Sequence, residues 1–366
     1  MTNDKFSKQR RDCLRILGAG ALGGLLVGPS NSLGSVLDKP TFVGSTVRPP
    51  YKKHMDPATV SLVKGDNRRE IIYQSMMNLK DEIIEAIGNK KVLIKPNLVV
   101  YGSPGCETHP DAVRGVLDFV RKYGKSEIIV GESTASRDKT TMDCFQFYGY
   151  FPLRDEYGIK LVDLNREPSE ARFILGAKNN PVAIRVISDF LNPDIFVISL
   201  ARMKVHVHAY VTLALKNLLM AAPVNDYTNP ELGWKTGDKF NMHVTPESPP
   251  TDPLFYNLYL LSQHVYPDLS VIDGFQGMSD RGPVGGHLVD SRVALAGLDA
   301  LATDVTATRV MGLDPDIVPY FNFMKEAGIG QANKDKIKLV GTPFNDCIYQ
   351  YKAARTFNET SIFKAE

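Results

Sequence analysis

Residues 200–223, LARMKVHVHAYVTLALKNLLMAAP, carry Lys204, His206, His208, Lys216 and Asn217 through an otherwise apolar run. Burying a charge without a partner costs several kcal/mol, so each of these groups needs an acid, a route to solvent or a chemical task. Lys204, His206 and His208 alternate, and an extended segment would turn all three to one face with Val205 and Val207 on the other. Such an H-x-H pair can reach one metal ion, or one anion when protonated. Histidines hydrogen-bonded at a sheet edge satisfy the same pattern without any function, His208 above all. The segment VTLALKNLLM that follows reads as a helix apolar nearly all round, and hence buried. On it Lys216 must find an acid, reach a cleft or lose its charge, and in the last case it becomes a proton-transfer lysine. Asn217 beside it can touch a ligand or simply satisfy a loop carbonyl.

Other polar groups follow apolar, β-branched runs in the same way. KVLI leads into Lys95-Pro96-Asn97, EIIV into Gly131-Glu132-Ser133, DIFVIS into Arg202-Met203-Lys204, and LSVI into Asp273-Gly274. Each ending alone reads equally well as a strand cap or turn. Together they suit an open α/β sheet, where ligands sit beyond the carboxyl ends of the strands. In CETHPDAVRGVLDFVRKYG, Thr108 or His109 is placed to cap a helix, with Pro110 and Asp111 in its first turn. His109 can equally contact an anion held by the free amides there. The stretch DGFQGMSDRGPVGGH, Asp273–His287, holds five glycines in fifteen residues. It is expected to be a loop whose backbone approaches a ligand at Gly274, Gly282 and Gly285, or a plain surface loop. It matches neither an ATP nor a dinucleotide fingerprint. Downstream, Asp299 is expected to cap a helix, and an inward-facing Asp304 would partner a buried lysine.

The elements that must position these residues alternate. Strands are expected at Lys91–Ile94, Glu127–Val130, Lys160–Val162, Asp194–Ser199, Leu269–Ile272, Val293–Ala296 and Lys336–Val340. Helices are expected at Arg68–Ile87, Asp111–Tyr123, Pro253–His264, Leu298–Met311 and Val318–Ala327, several stopped by a glycine. This order predicts an α/β fold, a mostly parallel sheet flanked by helices, in two lobes with a cleft between them. With 366 residues and 43% hydrophobic composition the chain can bury a sizeable core. Lys+Arg 43 against Asp+Glu 41 is too balanced for a phosphate-backbone surface, so no nucleic-acid partner is expected. Cys13, Cys106, Cys144 and Cys347 form no CxxC and no disulfide framework. An iron–sulfur cluster therefore has no cysteine motif, and a metal ion would need His or carboxylate ligands.

At the N-terminus Arg10-Arg11 directly precedes an apolar, glycine-interrupted stretch, residues 16–27, too short to span a membrane comfortably. It resembles a twin-arginine export signal, although Cys13 stands where an aromatic residue is usual; a short helix behind a basic tail is the plainer alternative. The resemblance implies contact with the twin-arginine export machinery, a periplasmic or extracytoplasmic location, and no membrane association beyond the signal itself. Residues 1–35 are accordingly assigned to export, 36–58 to a Pro/Ser/Gly-rich lead-in, 59–345 to the α/β domain and 346–366 to a tail.

The blocks VLIKPNLV, THPDAVRGVLDFVRKYGKSEIIVGES, MKVH, ALKNLLM, DGFQGM…GPVGG and GLDALATDVTATRVMGLDP…GIG resemble, in order over roughly residues 90–341, the domain-of-unknown-function family 362. That resemblance implies an α/β fold and supplies no settled activity. Some relatives carry ferredoxin-type cysteine motifs that this chain lacks. The layout is also distantly similar to the lactate racemase group, a likeness of architecture that does not bring a nickel cofactor with it. The expected site gathers Lys95, Asn97, Thr108, His109, Lys204, His206, Lys216, Asn217 and Asp273. Lys95 and Lys204 would neutralise a small carboxylate or phosphate, His109 and His206 would move protons or hold a metal, and Lys216 would tune them. A non-catalytic metal or cofactor binder and an electron-transfer partner of an iron–sulfur protein are the alternatives.

Overall fold

The computed structural model describes residues 56–124, 127–136, 138–226, 237–243 and 253–353. The export segment expected over 1–35, nearly all of the lead-in and the end of the tail lie outside the described residues. The described residues form twelve strands: β1 Ala58–Lys64, β2 Lys91–Lys95, β3 Ile128–Glu132, β4 Lys160–Asp163, β5 Ser169–Leu175, β6 Pro181–Ile187, β7 Ile195–His206, β8 Tyr210–Thr212, β9 Leu269–Ser279, β10 His287–Val289, β11 Val293–Gly297 and β12 Ile337–Gly341. The helices among the described residues are α1 Arg68–Met77, α2 Lys80–Ile87, α3 Pro110–Tyr123, α4 Thr141–Phe147, α5 Pro152–Tyr157, α6 Ala214–Leu219, α7 Asp238–Asn241, α8 Pro253–Ser262, α9 Ala300–Val310 and α10 Pro319–Glu326.

Ten strands form one sheet, in the order β12-β1-β11-β9-β7-β2-β3-β4, with β10 on the far end of β9 and β8 on that of β7. Strand β2 runs parallel to β3 and β7, β3 to β4, β7 to β9 and β1 to β12, whereas β11 is antiparallel to its neighbours β1 and β9. This is the mostly parallel, helix-flanked α/β sheet expected. The described residues fall within one unit, Thr46–Glu366, and do not divide into two lobes. Strands β5 and β6 form a separate hairpin.

Both faces of the sheet are covered, which is why its central strands read as continuous apolar runs. Val92, Ile94, Phe196 and Ile198 pack on one side with residues of α1, α2 and α3, while Leu93, Val197 and Leu295 pack on the other with α6, α8, α9 and α10. The alternation of strand side chains divides KVLIK and IFVIS between two cores.

Two expectations about element ends are corrected. Residues 68–87 are two helices, broken at Asn78, whose side chain accepts from Gln74 and donates to Ser61 of β1. Strands β7 and β9 do not stop before their polar residues: β7 runs through Arg202 and Lys204 to His206, all buried, and β9 through Asp273 to Ser279. The glycine-rich stretch expected to be a loop is therefore mostly the β9–β10 hairpin. No helix among the described residues is long and apolar enough to cross a membrane.

Candidate functional site

Lys95 is the last residue of β2, and Pro96, which has no N–H to donate, ends the strand there. The Lys95 ammonium donates to Pro96 O (2.7 Å), Asn217 Oδ1 (2.7 Å) and the carboxylate of Glu132, the last residue of β3, at 2.8 Å. Glu132 also accepts from Leu98 N (2.6 Å) and Ser133 N (2.7 Å), so it fixes the turn after β2 as well as the charge. Asn97 donates through Nδ2 to Asn217 Oδ1 (2.8 Å), while its Oδ1 accepts from Lys204 Nζ (2.6 Å). Lys204 donates again to Cys106 O at 2.6 Å. Lys95, Asn97, Lys204 and Asn217 are thus one connected, buried network across the ends of β2 and β7 and the helix α6.

Helix α6 is seated by Asp304 on α9, which accepts from Ala214 N and Leu215 N, both at 2.9 Å, with one oxygen each. The sequence expectation that Asp304 partners a lysine is corrected: the first N–H groups of a helix have no intrahelical acceptor, and Asp304 supplies one from outside. Its carboxyl is pushed up to about 8 by burial, against the pull of those two N–H donors. The helix so placed presents Lys216 to His206, Nζ to Nε2 at 3.1 Å. His206 Nδ1 accepts two backbone N–H bonds, from His208 (3.0 Å) and Ala209 (3.2 Å). Burial first, and then Lys216, hold the His206 imidazole well below its usual range. Burial likewise pushes the Lys216 ammonium down to about 7 and that of Lys204 down to about 8, the neighbouring lysines and Arg202 adding to the fall.

The alternation of Lys204, His206 and His208 breaks after His206, where β7 turns back toward β8 and leaves His208 exposed, its ring centroid 6.0 Å from that of His206. The reading of His206 and His208 as a shared metal pair is corrected on geometry. His206 Nδ1 is occupied by two amides, its Nε2 faces a lysine, and among the described residues no group of three His, Cys, Asp or Glu is placed to hold an ion. His206 and His208 therefore do not fit a shared metal ion.

Thr108 is not the helix cap; its Oγ1 accepts from Asn97 N (2.9 Å) and donates to Leu200 O (2.8 Å), tying the loop after β2 to β7. His109 caps α3 through Nδ1, which accepts from Asp111 N at 3.1 Å, and its ring is only half-buried. Burial and the nearby Arg68 lower its affinity for a proton. Asp273 lies beside Arg202, its partner in the β7–β9 register, and accepts from Arg68 Nε (3.3 Å) and Phe275 N (3.1 Å) through Oδ1. Asp273 Oδ2 and Arg202 Nε are buried with no hydrogen-bond partner among the described residues. His109, Arg68, Asp273 and Arg202 thus adjoin the lysine network on the β9 side.

The glycines expected to approach a ligand have other reasons to be glycine. A Cβ on Gly282 would meet Val205 O at 1.8 Å, and one on Gly274 would meet Met203 Cε at 2.8 Å. Both allow close packing against β7, whereas Gly285 is a positive-φ turn residue in open space.

Glu132, Arg202 and Lys239 lie outside the site expected from the sequence. The first two stood visible at strand ends, but nothing in TGDKFNMH marks Lys239. It is buried, donates to Ser133 Oγ (3.1 Å) and to the carbonyls of Met220 (3.1 Å), Ala221 (2.8 Å) and Pro223 (2.6 Å), and is pushed down to about 7 by burial. Among the described residues, only Lys95 of the four lysines Lys95, Lys204, Lys216 and Lys239 has a carboxylate within ion-pair distance.

A mostly parallel sheet with buried lysines at the ends of its central strands defines an α/β protein with a basic polar site. Residues 92–309 match the family described as Domain of unknown function (DUF362), and the chain belongs to that family. A thylakoid-associated protein of Synechocystis sp. is 25% identical over 243 residues, 65% of this chain and 68% of that protein. Among solved structures, the lactate racemase apoprotein of Thermoanaerobacterium thermosaccharolyticum is similar over 69% of this chain and 57% of its own, with a TM-score of 0.40 and 13% identity. A protein from Thermotoga maritima is similar over 73% of this chain and 60% of its own, with a TM-score of 0.37 and 14% identity. The chain therefore spans less than two thirds of either solved structure.

Proposed function

We propose that the protein is an enzyme that binds a small carboxylate or phosphate at the Lys95–Lys204–Lys216 cluster and moves a proton there through Lys216 and His206. The supporting observation is the charge imbalance of a buried network. Lys204 faces only neutral oxygens and Lys216 only an imidazole, whereas an anion would supply Lys204 with a charged acceptor and hold it in the ammonium form. Lys95 is already matched by Glu132 and serves to hold Asn217 in place. A lysine poised near neutrality can both accept and release a proton at physiological pH, which a solvated lysine does poorly.

Titration calorimetry with inorganic phosphate, acetate and oxalate tests the anion reading; absence of heat with all of them at millimolar concentration rejects it. Lys216→Ala separates catalysis from carriage. An enzyme loses turnover out of proportion to any loss of affinity, whereas a carrier changes in affinity alone. Export through a twin-arginine route is part of the same proposal and rests on Arg10-Arg11 ahead of residues 16–27. Fractionation of cells producing the chain with Arg10 and Arg11 changed to lysine tests it, since retention in the cytoplasm is expected.

A further inference from the structure

Resting on the anion site just proposed, we infer that Lys216 is a nucleophile that condenses with the carbonyl group of a small anionic aldehyde or ketone, such as a 2-oxo acid, to form an imine. The inference starts from hydrogen-bond polarity. Backbone N–H groups can only donate, and two of them, from His208 and Ala209, converge on Nδ1 of His206. That nitrogen must therefore carry a lone pair, which places the proton of the neutral ring on Nε2. Nε2–H points at Lys216 Nζ, 3.1 Å away, and can be satisfied only if that nitrogen offers a lone pair. The geometry thus specifies Lys216 as a neutral amine, the state in which lysine is a nucleophile.

The other buried lysines are held differently. Lys95, Lys204 and Lys239 each donate to two or more oxygens, an arrangement that favours ammonium. Lys204 adds positive charge that depresses Lys216 further, and its bonds to Asn97 Oδ1 and Cys106 O leave a third N–H to hold a carboxylate next to the reacting carbonyl.

When a carbonyl oxygen arrives, it replaces Nζ as the acceptor of His206 Nε2–H. This releases the amine lone pair and polarises the carbonyl in one motion. Nζ attacks the carbonyl carbon, a C–N bond forms, and the C=O π pair moves to oxygen. Both amine protons then leave with that oxygen as water, giving C=N; no oxidant, reductant or further reactant is consumed.

The test is reductive trapping on the full chain. The protein is incubated with pyruvate and sodium cyanoborohydride near pH 7.5, and the labelled lysine is located by peptide mass spectrometry. The expected result is one carboxyethyl group on Lys216, at least tenfold above any exposed lysine, and suppressed by inorganic phosphate. His206→Phe, checked for folding by circular dichroism, removes the Nε2–H donor and should lower that label at least tenfold while exposed lysines keep theirs. Labelling of Lys216 no greater than that of exposed lysines, with phosphate binding retained in calorimetry, overturns the imine and leaves the anion site standing. Full labelling in the folded His206→Phe variant overturns the polarity argument. Failure of both labelling and phosphate binding removes the two proposals together.

Discussion

The amide of Asn97 stands between two groups of opposite need, its oxygen 2.6 Å from Lys204 Nζ and its nitrogen 2.8 Å from Asn217 Oδ1. Asn97 therefore has one possible orientation, and it offers Lys204 a neutral acceptor where an aspartate would offer a charged one. Asn97→Asp should neutralise Lys204 internally and repel an incoming anion. Acetate or phosphate affinity should fall by on the order of tenfold or more, about 1.4 kcal/mol per decade. Calorimetry on the folded variant checks this, and unchanged affinity would show that Lys204 is not part of the anion site.

Anion binding should weaken as pH rises. Lys204, pushed down to about 8 by burial, loses its charge through that interval. Acetate keeps its charge throughout, so its Kd measured at pH 6.5, 7.5 and 9 should climb steadily. A Kd flat across that range would contradict the assignment.

Stability of the ligand-free protein should move the other way above pH 8. There Lys204 and Lys216 are neutral when folded yet remain protonated when unfolded, up to their ordinary 10.5. The unfolded state then binds more protons, so folding stability rises with pH toward about 10. Denaturant midpoints at pH 8.5 and 9.5, compared between the natural chain and Lys204→Met, should show a smaller rise in the variant.

Asp304→Asn should loosen the helix that carries Lys216 and Asn217. An asparagine keeps one acceptor for Ala214 N or Leu215 N and points an amide N–H₂ at the other. An unsatisfied buried donor costs about 1–3 kcal/mol. A drop of several degrees in Tm together with faster hydrogen exchange over residues 214–219 is expected; exchange unchanged there would place the loss elsewhere.

Glu132→Gln should be the more damaging change, because it leaves Lys95 buried without a carboxylate and takes one of the oxygens that receive Leu98 N and Ser133 N. Breaking a buried pair in this way costs about 3–5 kcal/mol. Chemical denaturation should show it, and saturating phosphate should restore part of the loss, since an anion binding only the folded state stabilises it.

Hydrophobic patterning made the central elements readable in the chain itself. KVLI, EIIV and DIFVIS became β2, β3 and the first half of β7, and ALKNLL became a buried helix, because a strand covered on both faces and a helix covered all round must be apolar without interruption. Charged residues interrupting such runs are costly, so Lys95, Lys204, His206 and Lys216 announced themselves as groups with partners to find. What those partners are depends on elements far apart in sequence. Lys95 meets Asn217 122 residues away, and Asp304 reaches Leu215 across 89 residues to seat a helix instead of pairing a lysine. Neither spacing nor periodicity encodes contacts of that kind, and the same holds for Lys239, whose acceptors are the carbonyls of a turn. The chain alone dictated that Lys95, Lys204, His206 and Lys216 had to be buried. Only the packed sheet decided which lone pair each proton faces, because hydrogen-bond direction is set by where folding brings donors and acceptors together.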